Sequence, residues 1–294
     1  MRMRTGLPGL AVCLFVFQLA GQTTAAPPAN GPQFDVVSIR INDSGMQGGA
    51  WSRRCDGGRW TGKNVDLETL ITSAYGLLPS QVQGIPNWNL SALHQFDIVA
   101  TCPEGTVESQ VQPMLQAMLA DRFGLSAHFE TREMGVRTLE LAKDGPKLKP
   151  ASGNCVDTAS ALDLPEGQHR CGQFYATHSR SGGSGPPTAG QSMLTHYHAW
   201  SATTADFVKF FGRMGPFGQP PMIDETGLTG KYDFDFQYEL LLNEKDADGK
   251  PIDQEYRFVQ AVEHQLGLVY NERSLKKEPV PVLIIDRVSM PSPN

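Results

Sequence analysis

The chain has 294 residues, 40% of them hydrophobic and 19% charged, with a net charge of −6. That apolar share supports a packed core and argues against wholesale disorder. The acidic balance, with no Lys/Arg run, argues against phosphate-backbone binding, so no nucleic acid partner is expected.

The N-terminus reads as an export signal. Arg2 and Arg4 form the positive n-region, Leu10 to Ala20 form the apolar h-region, and small residues follow from Thr23 to Ala26. This pattern predicts a cleavable signal peptide over residues 1–26, with a periplasmic or secreted mature protein. Gln22 stands where a lipoprotein signal would place Cys after Leu19-Ala20-Gly21. Other apolar runs fall short of the roughly 20 residues a membrane helix needs, so no transmembrane segment is expected after cleavage.

Residues 27–33 read as a linker, and residues 34–150 as a first α+β repeat. Phe34 to Arg40 has strand character, 41–58 is polar and Gly-rich, and Arg59-Trp60-Thr61 is a short strand. Asp66 is positioned to cap a helix carrying Leu67, Leu70, Ile71, Ala74 and Tyr75, which Gly76 ends. Strands at Gln81–Gly84 and Phe96–Ala100 flank Pro86-Asn-Trp88. A second helix shows Val111, Met114, Leu115, Met118 and Leu119 on one face, and Pro113 leaves its start open. Two strands near 125–131 and 135–142 close this unit.

Residues 151–190 are a Gly/Ser/Pro-rich linker containing Cys155 and Cys171. A second α+β repeat is expected over 191–290, with 291–294 as a tail. Thr203-Thr-Ala-Asp206 resembles a capping box and precedes a stripe of Phe207, Phe210, Phe211 and Met214. Met222-Ile-Asp224 is a short strand, Thr226 to Gly230 a turn, and Lys231 to Tyr238 alternates aromatic and polar residues as a strand does. Beyond the polar loop 243–253, Phe258, Val259, Val262 and Leu266 make a last helical face, followed by strands near 268–274 and 279–288.

The two descriptions match in order. Trp60 aligns with Trp200, Phe96-Asp-Ile with Tyr232-Asp-Phe, Phe123-Gly-Leu125 with Leu266-Gly-Leu268, and Val136 with Val280. The fold class expected is α+β: two tandem related units of mixed or antiparallel sheet packed by helices, arising by internal duplication. Of five cysteines, Cys13 lies in the signal. Cys55, Cys102, Cys155 and Cys171 remain, an even number that suits disulfides in an exported chain. The pairing expected is 55–102 and 155–171; a four-Cys zinc site lacks Cys-x-x-Cys spacing.

Several motifs bear on chemistry. His196-Tyr-His198 puts two imidazoles on one face of a strand, the best metal candidate here. His169 and His178 lie upstream, but no carboxylate has a persuasive spacing in sequence, so neither metal nor cofactor is expected. Asp246, Asp248, Gly249 and Glu255 partly match a calcium loop, with Glu244 where Asp is usual. Ser274-Leu-Lys-Lys277 fits Ser-x-x-Lys but reads as a charged hairpin turn. Asp97 and Asp233 follow an aromatic at matching strand positions, which suggests a structural role such as bonding a turn. Trp60 and Trp200 are expected in the core, and Trp88 on the surface as a binding residue.

A set of motifs resembles a known family. Phe34-Asp-Val-Val-Ser-Ile, Gly58-Arg-Trp-Thr, Leu70-Ile-Thr-Ser-Ala-Tyr-Gly76 and Gly84-Ile-Pro-Asn-Trp88 come first. Phe96-Asp-Ile-Val-Ala, Met118-Leu-Ala-Asp-Arg-Phe-Gly-Leu125 and Gly145-Pro-Lys-Leu148 follow. Asp224-Glu-Thr-Gly-Leu-Thr-Gly-Lys-Tyr-Asp-Phe234 and Gln265-Leu-Gly-Leu268 complete the order. Together they resemble the soil-associated Soli family, exported acidobacterial-type proteins that carry the DUF3738 domain. Met222 stands where that family usually has Val, and Arg40 where Lys is usual. The resemblance implies export but brings no catalytic set or cofactor. Some members fuse the domain to an antirepressor-type membrane metallopeptidase, which implies extracytoplasmic sensing. The turn and amphipathic strand are also similar to small interaction domains of secretins and TonB-dependent receptors. The function expected is an exported, non-catalytic module that binds a protein or cell-envelope ligand across the groove between repeats. The alternative is a metal-dependent hydrolase using the His196 and His198 region, which requires three ligand-type side chains to meet.

Overall fold

The computed structural model describes residues 23–25, 31–44, 49–52, 54–90, 94–156, 164, 167–180, 191–212, 220–242, 249–250 and 254–291. The fold is α+β. The first half runs β1 (Thr23–Thr24), β2 (Val36–Asn42), β3 (Ala50–Trp51), β4 (Arg59–Val65), α1 (Leu67–Tyr75), β5 (Val82–Gln83), β6 (Gln95–Thr101), α2 (Glu108–Arg122) and β7 (Ser126–Leu141). The second runs β8 (Lys149–Pro150), β9 (Phe174–Arg180), β10 (Gln191–Ala202), α3 (Thr204–Phe211), β11 (Met222–Asp224), β12 (Tyr232–Leu242), α4 (Gln254–Ala261) and β13 (Leu268–Arg287). Part of the expected 151–190 linker is therefore a strand, β9.

The helix starts follow from their caps. The Asp66 carboxylate accepts from the Thr69 backbone N–H at 2.8 Å and from its hydroxyl at 2.9 Å. Thr203 and Asp206 form the reciprocal capping box, at 2.9 and 3.1 Å. α2 continues through Pro113 because it buries Val111, Met114, Leu115, Met118 and Leu119. That burial outweighs the one helical bond the proline removes.

Each half builds an antiparallel sheet: β2-β6-β4-β3 in the first, β8-β12-β10-β9 in the second. A third sheet joins them. β7 and β13 pair antiparallel along most of their length, from Leu268 opposite Leu141 to Arg287 opposite Ser126. The short strands cross over. β5 of the first half pairs in parallel with β13, and β11 of the second half pairs in parallel with β7. The cores cross over as well. Leu283 and Ile285 of β13 sit in the first-half core with Trp60, Phe96 and Leu119. Leu139 of β7 sits in the second-half core with Phe207, Phe211 and Phe258. Neither half completes its core alone.

The strand pairs expected at 125–131/135–142 and 268–274/279–288 are instead two long strands. Residues 132–134, the expected gap, lie within β7, as does Gly135, where a Cβ would come within 3.2 Å of the Leu275 side chain. It permits a close approach and makes no turn. Pro279 and Pro281 interrupt no pairing with β7. The Pro281 carbonyl accepts from Gln81 Nε2 at 3.1 Å, so the backbone there faces away from β7 and needs no N–H for that ladder. Ser274 to Lys277 accordingly lie inside β13 at a register irregularity, between Asn271 and Lys276, and form no hairpin turn. Lys276 is held by Glu225 at 2.5 Å and Glu278 at 2.9 Å.

A matching bulge marks both halves. β4 slips register on β6 between Gly62 and Val65; β10 slips on β12 between Ala199 and Ala202. In each bulge one non-glycine residue takes positive φ, Asn64 at 54° and Ser201 at 52°. Its backbone N–H donates to an aspartate of the neighbouring strand, Asp97 at 2.8 Å and Asp233 at 2.9 Å. A left-handed residue costs about 1–2 kcal/mol, and a hydrogen bond to a charged group contributes about 1.5–3 kcal/mol, so the carboxylate offsets the strain. The Asn42 amide bond, at 2.8 Å, holds the Asp97 carboxyl below its usual range. Burial pushes Asp233 up, but bonds from Ser152 and Ser201 outweigh it and the net shift is downward. Both depressed groups therefore support the fold above the ordinary carboxylate range and lose that support as pH falls through it. The structural role expected for this pair agrees with these bonds.

Candidate functional site: an imidazole and indole face on the second sheet

Along β10, Thr195, Tyr197 and Ala199 turn into the second-half core and are buried. The residues between them, His196, His198 and Trp200, share the opposite face, as the period of two requires. Register brings partners to them. His198 lies opposite Asp235 of β12 and Tyr175 of β9, and His196 opposite Gln237 and Thr177.

Asp235 is the carboxylate that sequence spacing did not reveal. His196 Nε2 lies 2.5 Å from Asp235 Oδ1, and His198 Nδ1 lies 3.5 Å from the same oxygen. The two imidazole centroids are 3.7 Å apart. The three side chains retain 32%, 28% and 52% of their exposure, so the group is open to solvent. Burial lowers the His198 pKa, the neighbouring His196 lowers it further, and Asp235 opposes both; the net shift is downward.

Aromatic rings extend the face. Trp200 lies nearly parallel to His198, 5.9 Å between centroids and 13° between planes. His169 stacks on Trp200 at 3.9 Å and 6°. Tyr175 meets His169 and Trp200 edge-on, at 5.0 and 6.0 Å. His169 is held there by its loop. Val156 N–H donates to the His169 carbonyl at 2.9 Å, and Gly172 N–H to the Trp200 carbonyl at 2.8 Å. The Cys155–Cys171 disulfide closes this loop, and the Arg170 guanidinium reaches Glu108 at the start of α2 at 3.0 Å. The face is therefore anchored to the first half too.

Cys55 and Cys102 form the other disulfide, with Cα atoms 6.2 Å apart. Both pairings agree with the sequence expectation.

Trp200 overturns its expected place in the core. When the halves are matched on the bulge residues Asn64 and Ser201, the counterpart of Trp60 is Tyr197, not Trp200. Trp60 and Tyr197 are both buried. Aligning the two tryptophans shifts the strand by three residues, and an odd shift moves a side chain to the other face. The helix caps Asp66 and Thr203 each lie two residues beyond the bulge residue. Trp88 lies apart from this face: it is half-buried against the first core, edge-on to His94 at 5.9 Å. Asp246, Asp248 and most of the calcium-like loop lie outside the described residues.

The arrangement can stack a planar or apolar group on Trp200, accept or donate hydrogen bonds through imidazole and carboxylate, and coordinate a cation. Fold and face define an α+β protein with an open imidazole and indole surface. The chain belongs to the family described as "Protein of unknown function (DUF3738)", whose model matches residues 68–288. No curated protein and no solved structure matches it. Among the described residues, no helix is long and apolar enough to cross a membrane.

Proposed function

We propose that this chain is an exported, non-catalytic binding module of the Soli type, which takes a cell-envelope protein or ligand on the imidazole and indole face. The run of Tyr175, His169, Trp200, His198 and His196 carries this reading. Partly exposed aromatic and imidazole side chains held on a sheet and its adjoining loop offer contact area at little entropic cost, and aromatics are enriched where proteins bind. Two disulfides fit an oxidising compartment and support export. The paired bulges, each with its positive-φ residue and bonding aspartate, support an origin by internal duplication. A photo-crosslinker in place of Trp200 is expected to capture an envelope component in cells; failure to capture any would overturn the binding face.

The segment just inside the expected signal boundary packs on the first half. Thr23 and Thr24 pair with β7, Ala25 is buried in the first core, and the Tyr75 hydroxyl donates to the Ala25 carbonyl at 3.0 Å. A cut after Ala26 would remove this strand. We propose a cut upstream of this strand, after Gly21, in place of the boundary at Ala26 expected from the signal pattern. The intact mass of the exported protein is expected to match a chain starting at Gln22; a start at Pro27 would contradict this.

The second reading is a metal-dependent hydrolase using the His196 and His198 region. The meeting of Asp235 with both histidines favours it, and it requires turnover by the zinc-loaded protein that disappears in His196→Ala.

A further inference from the structure

We propose that His196, His198 and Asp235 form a three-ligand site for a late first-row divalent ion of the zinc class. One donor atom from each side chain can be chosen so that all lie within 4.8 Å of one another. Two imidazoles and one carboxylate are the donor set that suits zinc, nickel, cobalt and copper, whereas calcium and magnesium prefer oxygen alone. The backbone preforms the site: the histidines sit on alternate residues of β10, and register places Asp235 directly across from His198. Without metal, the 2.5 Å contact between His196 Nε2 and Asp235 Oδ1 keeps the ligands converged. Trp200, stacked on His169 and nearly parallel to His198 at 5.9 Å, flanks the His198 ring.

Three protein ligands on an open sheet leave a coordination position facing solvent. Such an ion takes a water there, or a donor atom from the bound partner. The inference thus deepens the binding-face reading, whose ligand would then carry a metal-binding group. Metal binding itself needs no partner, so the two can fail separately.

The test is calorimetric titration of the purified exported protein with zinc chloride. One ion per chain is expected. His196→Ala, His198→Ala and Asp235→Asn should each weaken binding by about tenfold or more, with unchanged circular dichroism. His264→Ala, on another element, should bind as the wild type does. Copper should quench the indole emission of the wild type, and the quenching should fall in Trp200→Phe while copper still binds. No zinc binding, or binding that survives both histidine substitutions, would overturn the site. Loss of binding in His264→Ala would do the same by moving the ion elsewhere.

Discussion

Leu283→Ala is expected to destabilise the protein by about 2–5 kcal/mol, and to loosen the half of the molecule to which Leu283 does not belong in sequence. Leu283 is fully buried. It lies on β13, after the last helix of the second half, yet packs in the first core between Phe129 of β7 and Val82 of β5. Truncation to alanine leaves a cavity in the first core, where the surrounding side chains cannot collapse fully. Hydrogen exchange should then show protection lost in α1, β4 and β6 before α3 and β12. Leu139→Ala, which empties a site in the second core from a first-half strand, should give the reverse order. If Leu283→Ala loosens α3 and β12 instead, the exchanged cores are wrong.

Removing the Cys55–Cys102 disulfide is expected to be nearly as damaging. Its partners are 47 residues apart, and the chain-entropy relation gives about 4 kcal/mol for a loop of that size. The Cys155–Cys171 bridge closes 16 residues and gives about 3 kcal/mol. Both cysteines of the larger loop are buried against the first core, so paired alanines keep much of the packing while freeing the chain. Denaturant melts of the two double alanine variants should rank in this order. The smaller loop has a second consequence, because it holds His169 on Trp200. Its removal should alter indole emission, while the larger loop's removal should not at conditions where the protein stays folded. A loss below 1 kcal/mol for Cys55→Ala with Cys102→Ala would contradict the role given to that bridge.

Local features of the fold were legible because local chemistry determines them. Asp66, Thr203 and Asp206 announce helix starts by bonding backbone groups three residues away. Tyr232 to Tyr238 announces a strand by alternation, and the cysteine pairs follow from their flanking elements. The long-range features were not legible. Gly135 and Pro279 have the residue types of turns, but their role depends on what packs across from them. The crossing of β5 and β11 involves partners some 200 and 85 residues away, and no local pattern encodes it. The site shows the same division. His196-x-His198 could be read from the period of a strand, whereas Asp235 joins it only through the β10–β12 register. Trp200 was misplaced because its residue type suggested the core, whereas the period of β10 puts it on the face opposite the buried Tyr197 and Ala199.

The binding face is tested most directly by photo-crosslinking in the cell that exports the protein. A crosslinkable residue is placed at Trp200, at Leu194 on the same strand, and at Gln112 on the exposed side of α2. The face predicts one discrete envelope adduct from position 200, weaker or equal capture from 194, and none from 112. No adduct at 200, or the same adduct at equal yield from 112, would contradict it.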